Sequence, residues 1–94
     1  MTNTMLKVTF ADFRAVTSKP MPKGAVIRHV GHQRGDIVLW FETDLDLMDQ
    51  KDAEGVETRR FAVVATGDPI PDGATYLGTV VPSTLVWHVF EVSA

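Results

Sequence analysis

The sequence contains no cysteine. That one absence excludes disulfides, thiolate metal ligands and cysteine nucleophiles together. Small secreted domains usually depend on such staples, so an intracellular or intravirion setting is the better expectation. Long apolar runs are missing too: no segment approaches the roughly 20 residues that cross a bilayer as a helix. Met1-Thr2-Asn3-Thr4-Met5-Leu6-Lys7 has neither the basic run nor the apolar stretch of a signal peptide. A soluble protein with no membrane partner is therefore expected. Concentrated positive charge is also absent, with 9 Lys and Arg against 12 Asp and Glu and a net charge of −3. Proteins that grip nucleic acid present a dense basic footprint, because phosphate neutralisation dominates their affinity, so direct nucleic-acid binding is not expected. No glycine-rich loop precedes a helix to cradle phosphate, and Ser18, Ser83 and Ser93 lack the context of a nucleophile elbow. No acid–base constellation can be assembled, and neither an enzyme nor a cofactor is expected.

What is present fits one globular domain. Hydrophobic residues make up 45% of the 94 residues and charged residues 22%, enough apolar content to argue against disorder. A chain of this size buries roughly 60–65% of its unfolded surface, so its core is thin.

Period-two alternation and β-branched residues dominate the pattern. Leu6, Val8 and Phe10 share one face of a first strand, with Lys7 and Thr9 on the other. A second short strand is expected over 13–18, ended by Lys19-Pro20-Met21-Pro22-Lys23-Gly24, whose prolines remove ladder donors. Residues 25–32 and 36–42 read as a hairpin turning at Gln33-Arg34-Gly35. Strand character returns over 57–66, Gly67–Gly73 breaks it, and 74–80 with 85–92 make a second hairpin. The stretch 44–56 is acidic and turn-rich; within it 46–54 suits a short helix capped by Asp46, or a solvated loop, and the loop is preferred. The expected fold is mostly β: a small antiparallel sandwich or partly open barrel of about six to seven strands.

The chain also repeats itself. Pro22-Lys23-Gly24-Ala25 is echoed by Pro71-Asp72-Gly73-Ala74, each followed by a strand that runs to a glycine, Gly31 or Gly78. Nine residues beyond each glycine stands a tryptophan, Trp40 or Trp87. Two pseudo-repeated hairpins, spanning about 22–42 and 71–91, would then flank a variable acidic loop at about 43–57 within one domain. Trp40, Trp87 and Phe90 are the expected core anchors, since large aromatic side chains dominate a thin core. In the last strand Leu85, Trp87 and Val89 alternate with Val86, His88, Phe90 and Val92. Apolar residues on both faces suit a strand covered on both sides. One cover would be a second subunit, which makes a homo-oligomer, by default a two-fold dimer, the expected state.

Thr66-Gly67-Asp68-Pro69-Ile70-Pro71, Tyr76-Leu77-Gly78-Thr79 and Leu85-Val86-Trp87-His88-Val89-Phe90-Glu91 resemble a family of short uncharacterised phage and prophage proteins. Its members share a Thr-Gly-x-x-Ile-Pro segment and a terminal Val-Trp-His-Val-Phe-Glu-like strand. Pro22-x-Gly24-Ala25, His29-Val30-Gly31 and Trp40 resemble its first half. The resemblance covers nearly the whole chain and implies a phage origin and a compact β domain, with no catalytic residues attached. Asp68 stands where many relatives carry histidine. The expected location is then the host cytoplasm, with the virion as the alternative.

Three patterns invite specific chemistry. His29, His32 and His88 with Asp36 suggest a metal site, but His29 and His32 lie three apart in a strand and face opposite ways, so no metal is expected. Asp44-x-Asp46-x-x-Asp49 fails the calcium-loop pattern, which needs glycine at the sixth place. Arg34-Gly35-Asp36 spells an adhesion tripeptide but reads as a hairpin turn. A binding surface remains. Arg28, His29, His32, Arg34, Arg59, Arg60 and His88 are its candidate residues, suited to an acidic protein patch or an anionic ligand. The favoured function is a non-enzymatic phage accessory protein that binds a host protein, inhibiting a defence or replication component. The alternatives are a homo-oligomeric binder of a small anionic ligand or nucleotide, and a virion or assembly scaffold.

Overall fold

The computed structural model describes residues 2–45 and 55–93. The expectation of a helix or loop over 46–54, and the reading of Asp44-x-Asp46-x-x-Asp49 as no calcium loop, fall on residues outside those described. Seven strands follow in order: β1 (Asn3–Phe10), β2 (Val16–Pro22), β3 (Val26–Gln33), β4 (Asp36–Asp44), β5 (Val56–Ala65), β6 (Ala74–Val80) and β7 (Trp87–Val92). They form two open antiparallel sheets, one ordered β1-β4-β3 and the other β2-β5-β7-β6. The result is a sandwich, not a closed barrel.

Alternation decides what each sheet turns inward. Ile37, Leu39 and Phe41 of β4 pair with Phe10, Val8 and Leu6 of β1, and they meet Phe61, Val63, Val89 and Trp87 of the other sheet in the main core. Ile37, Leu39, Phe61, Val63 and Val89 are wholly buried, each contributing roughly 1.5–3 kcal/mol of apolar burial. Phe10 meets Phe61 edge to face at 5.6 Å, and Phe13 meets Trp87 at 4.7 Å, the geometry ring quadrupoles favour.

The prolines do not end the second strand, as their sequence suggests. β2 runs through both of them to Pro22. The amide of Lys23 donates to the carbonyl of Gly55, and that of Val63 to Ala15, so the odd-numbered residues of β2 hold the ladder to β5. Pro20 and Pro22 take the alternate places, where an N–H would point away from the sheet. β2 is an edge strand, so no ladder bond is lost, and the rings close that edge to further pairing. Met21 between them turns into the core.

The two hairpins share their launch. In each, the Ala amide donates to the Pro carbonyl three residues back, Ala25 to Pro22 at 3.2 Å and Ala74 to Pro71 at 3.3 Å. The glycines between have φ of 76° and 71°, the left-handed region that glycine enters at no steric cost. Each first strand then carries a register shift, at Arg28 and at Leu77, six residues after its proline. The likeness stops at the faces. Ala25 enters the main core, whereas Ala74 joins a second cluster on the outside of the four-stranded sheet with Ala62, Val64, Phe90 and Val92. Gly31 and Gly78 do not end their strands: both lie within them, at places where a side chain would collide. The hairpin ends differ as well. Arg34 (φ 52°) and Gly35 (φ 83°) make a two-residue turn of the kind that matches strand twist, while residues 81–86 separate β6 from β7.

One expected anchor is therefore misplaced. Trp87 is buried in the main core, but Trp40 stands between Leu39 and Phe41 and faces outward, half-buried. Phe90 is buried, in the outer cluster. The doubly apolar last strand is covered on its second face partly by the chain's own 66–70 segment, which lines a cavity of about 210 Å³ with Val64, Ile70, His88 and Phe90. Leu85 and Val86 precede β7 and stay exposed.

Candidate functional site

The outer face of the three-stranded sheet carries the most distinctive arrangement. Gly31 leaves a gap there, and the Trp40 ring lies across it: a Cβ at Gly31 would stand 3.0 Å from Trp40 Cζ3 and 3.3 Å from His29 Nε2. His29 and Trp40 are direct cross-strand partners, with ring centroids 5.8 Å apart and planes tilted by 33°. Cross-strand aromatic pairs hold each other in place. An indole and an imidazole are thus fixed on a sheet face, the first half-buried and the second exposed.

Beside this pair the face becomes polar. Lys7 Nζ donates to Gln33 Oε1 at 2.7 Å, a strut from β1 to β3 across Val38, whose exposure is only 1% although it points outward. Lys7, Thr9, Gln33, Arg34, Asp36 and Val38 line an open groove of about 560 Å³. At the opposite end Arg28 donates through Nε to Glu42 Oε1 at 2.9 Å, and Asn3 Nδ2 donates to Oε2 at 2.7 Å. The hydrogen bond from Asn3, then the bond and charge of Arg28, hold the Glu42 carboxyl below its ordinary pKa.

The other candidate residues do not join this face. Arg59 is held in the four-stranded sheet by both Glu91 oxygens, Nε and Nη2 each at 2.7 Å, while Nη1 donates to the Ala25 carbonyl at 2.6 Å. The guanidinium ties β5 to β7 and to the start of β3, and bonding to Glu91 raises its pKa further. It clamps the two sheets together. Arg60 is exposed on the outer face of that sheet. His88 lies between two hydroxyls, Thr66 Oγ1 on Nε2 and Thr79 Oγ1 on Nδ1, both at 2.9 Å, and Tyr76 extends the chain to Thr79 at 2.6 Å. His32 pairs with Ile37 at the exposed end of β3. His29 and His88 thus sit on different sheets, and among the described residues no group of three or more His, Cys, Asp or Glu side chains gathers for a metal.

The structure therefore places Arg28, His29 and Arg34 on the three-stranded sheet, with Arg28 and Arg34 toward opposite ends of β3, and Arg59, Arg60 and His88 on the other sheet. Sequence reasoning missed Lys7 and Gln33, whose juxtaposition depends on strand order, and the Tyr76–Thr79–His88–Thr66 chain. Asp68 accepts the Ala65 amide at 3.2 Å and pairs with Arg14 at 3.2 Å, which gives it a turn-closing role. Among the described residues no helix is long and apolar enough to cross a membrane.

Residues 1–94 match a domain of unknown function, DUF7352, and the chain belongs to that family. No curated protein matches the chain, and neither does any solved structure.

Proposed function

We propose that this family member is a non-enzymatic phage accessory protein that captures a host protein on the outer face of its three-stranded sheet. The observation that carries this reading is the His29–Trp40 pair, fixed over Gly31 and turned away from the core. Tryptophan and arginine are the residues most often found at the energetic centres of protein interfaces. Here a held indole opposite Lys7 shares its sheet with Arg28 and Glu42 toward one end and Arg34 and Asp36 toward the other, polar surroundings for an aromatic anchor. The phage origin rests on the resemblance of the 66–71 and 85–91 segments, and inhibition of a defence or replication component is the role this origin suggests.

The test is capture from bacterial lysate by the immobilised protein, followed by titration of the captured protein in purified form. Trp40→Ala with His29→Ala should weaken purified binding at least a hundredfold while the circular dichroism spectrum is kept. Undiminished binding by this double variant would remove the face from consideration.

A second reading, a small anionic ligand, draws support from the groove beside Lys7 and Arg34. Its size falls in the ordinary range of ligand sites. Arg28 and Arg59 count against it, because both are already paired with carboxylates. A nucleotide at 100 times its dissociation constant would stabilise the fold by about 2.7 kcal/mol, so a thermal-shift panel decides between the readings.

A further inference from the structure

Four strand edges bound the two sheets, and three carry a device that discourages further pairing. β2 places Pro20 and Pro22 on its open side, β3 is kinked by a register shift at Arg28, and β6 by one at Leu77. β3 and β6 also approach one another, so that a Cβ on Gly78 would stand 3.0 Å from Val30 Cβ. β1 has none of these. It is eight residues long, contains neither proline nor glycine, carries one charge, Lys7, and pairs with β4 without interruption from Asn3 to Phe10. An edge of this kind is a ready template for another strand.

The ladder shows which backbone groups of β1 are without a partner among the described residues. Leu45 donates its amide to the Thr2 carbonyl, which places the even-numbered residues of this strand against β4. The N–H and C=O groups of Asn3, Met5, Lys7 and Thr9 therefore point to the open side. Their side chains lie on the outer face, and Met5 is 49% exposed.

We propose that two copies of this chain associate edge to edge through β1, antiparallel about a two-fold axis at Leu6. Every register centred on a residue of this strand joins the outward groups to each other, and those centred on Met5, Leu6 and Lys7 engage at least three of the four outward residues. One centred on Lys7 opposes two like charges, which is destabilising. One centred on Met5 engages Asn3, Met5 and Lys7 of this strand but not Thr9. The register centred on Leu6 pairs Asn3 with Thr9, Thr4 with Val8 and Met5 with Lys7, engages the strand from Asn3 to Thr9, and opposes no like charges. Leu6 meets its own copy at a non-hydrogen-bonded site, where the Cα atoms approach to about 4.5 Å. The assembled sheet runs β3-β4-β1 and continues through the same strands in reverse, with one Trp40 face from each copy on its outer side. This dimer is independent of the host-protein reading, which needs no second copy.

The experiment uses the full chain, which has no cysteine of its own. Sedimentation at 100 μM should give a dimer, and hydrogen exchange should show protected amides at Met5 and Lys7. Mild oxidation should cross-link Leu6→Cys into a covalent dimer. Thr9→Cys should not cross-link, because its copies lie about 20 Å apart in this register. Met5→Pro removes an outward donor but none facing β4, and should yield a folded monomer. A wild-type monomer at this concentration, freely exchanging Met5 and Lys7 amides, or a dimer that cross-links through Thr9→Cys would each overturn the proposal. A monomer would leave the edge to a strand from another protein.

Discussion

Gly78 of β6 lies directly against Val30 of β3 where the two sheets approach each other: a methyl group on Gly78 would stand 3.0 Å from the Val30 Cβ. The glycine is held there by contact rather than by backbone angle. Gly78→Ala should destabilise the protein by about 1–3 kcal/mol, the usual range for overpacking. Urea denaturation measures it, and Val30→Ala in the same chain should not recover the loss, because alanine keeps the Cβ that the new methyl group meets.

The two tryptophans should behave unequally. Trp87→Ala opens the main core beneath Phe13 and should cost about 3–5 kcal/mol. Trp40→Ala removes a half-buried ring from an outer face and should cost roughly 1–2 kcal/mol, the lower part of the range for burying a large apolar side chain. Equal losses in chemical denaturation would contradict the outward placement of Trp40.

Thr43 is buried on the inner side of β4, and among the described residues its hydroxyl has no hydrogen-bond partner. Thr43→Val keeps the shape and removes the unpaired group, and should stabilise the protein by about 1 kcal/mol. A loss of stability in the same denaturation assay would mean that the hydroxyl is bonded in solution.

The Asn3–Glu42–Arg28 contact predicts a pH dependence. Folding lowers the Glu42 pKa, so its contribution is present above the unfolded value and is lost as pH falls through the lower folded value. An NMR titration of the Glu42 carboxyl should find a midpoint below that of the unfolded chain. Asn3→Ala should move it upward, and Arg28→Ala should do the same.

Much of this architecture is legible in the chain. Alternation at Leu6, Val8 and Phe10, the turn residues Arg34 and Gly35, and the paired Pro-x-Gly-Ala segments all follow from local rules of period and backbone angle, which need no knowledge of distant neighbours. The prolines of β2 were misleading because their effect depends on whether an N–H faces a neighbour or an open edge, and that is a property of sheet order. The candidate surface was only half visible: Arg28, His29 and Arg34 share one sheet, but the pairing of Arg59 with Glu91 took a third cation out of reach.

By itself, then, the sequence determined a cysteine-free β domain, its strand periods and the two matched turns. Tertiary structure alone decided which face of each hairpin looks inward, and so why Trp87 is core and Trp40 is surface. The physical reason is that a period of two separates side chains into two faces without saying which will be covered. Only the packing of one sheet on the other breaks that symmetry.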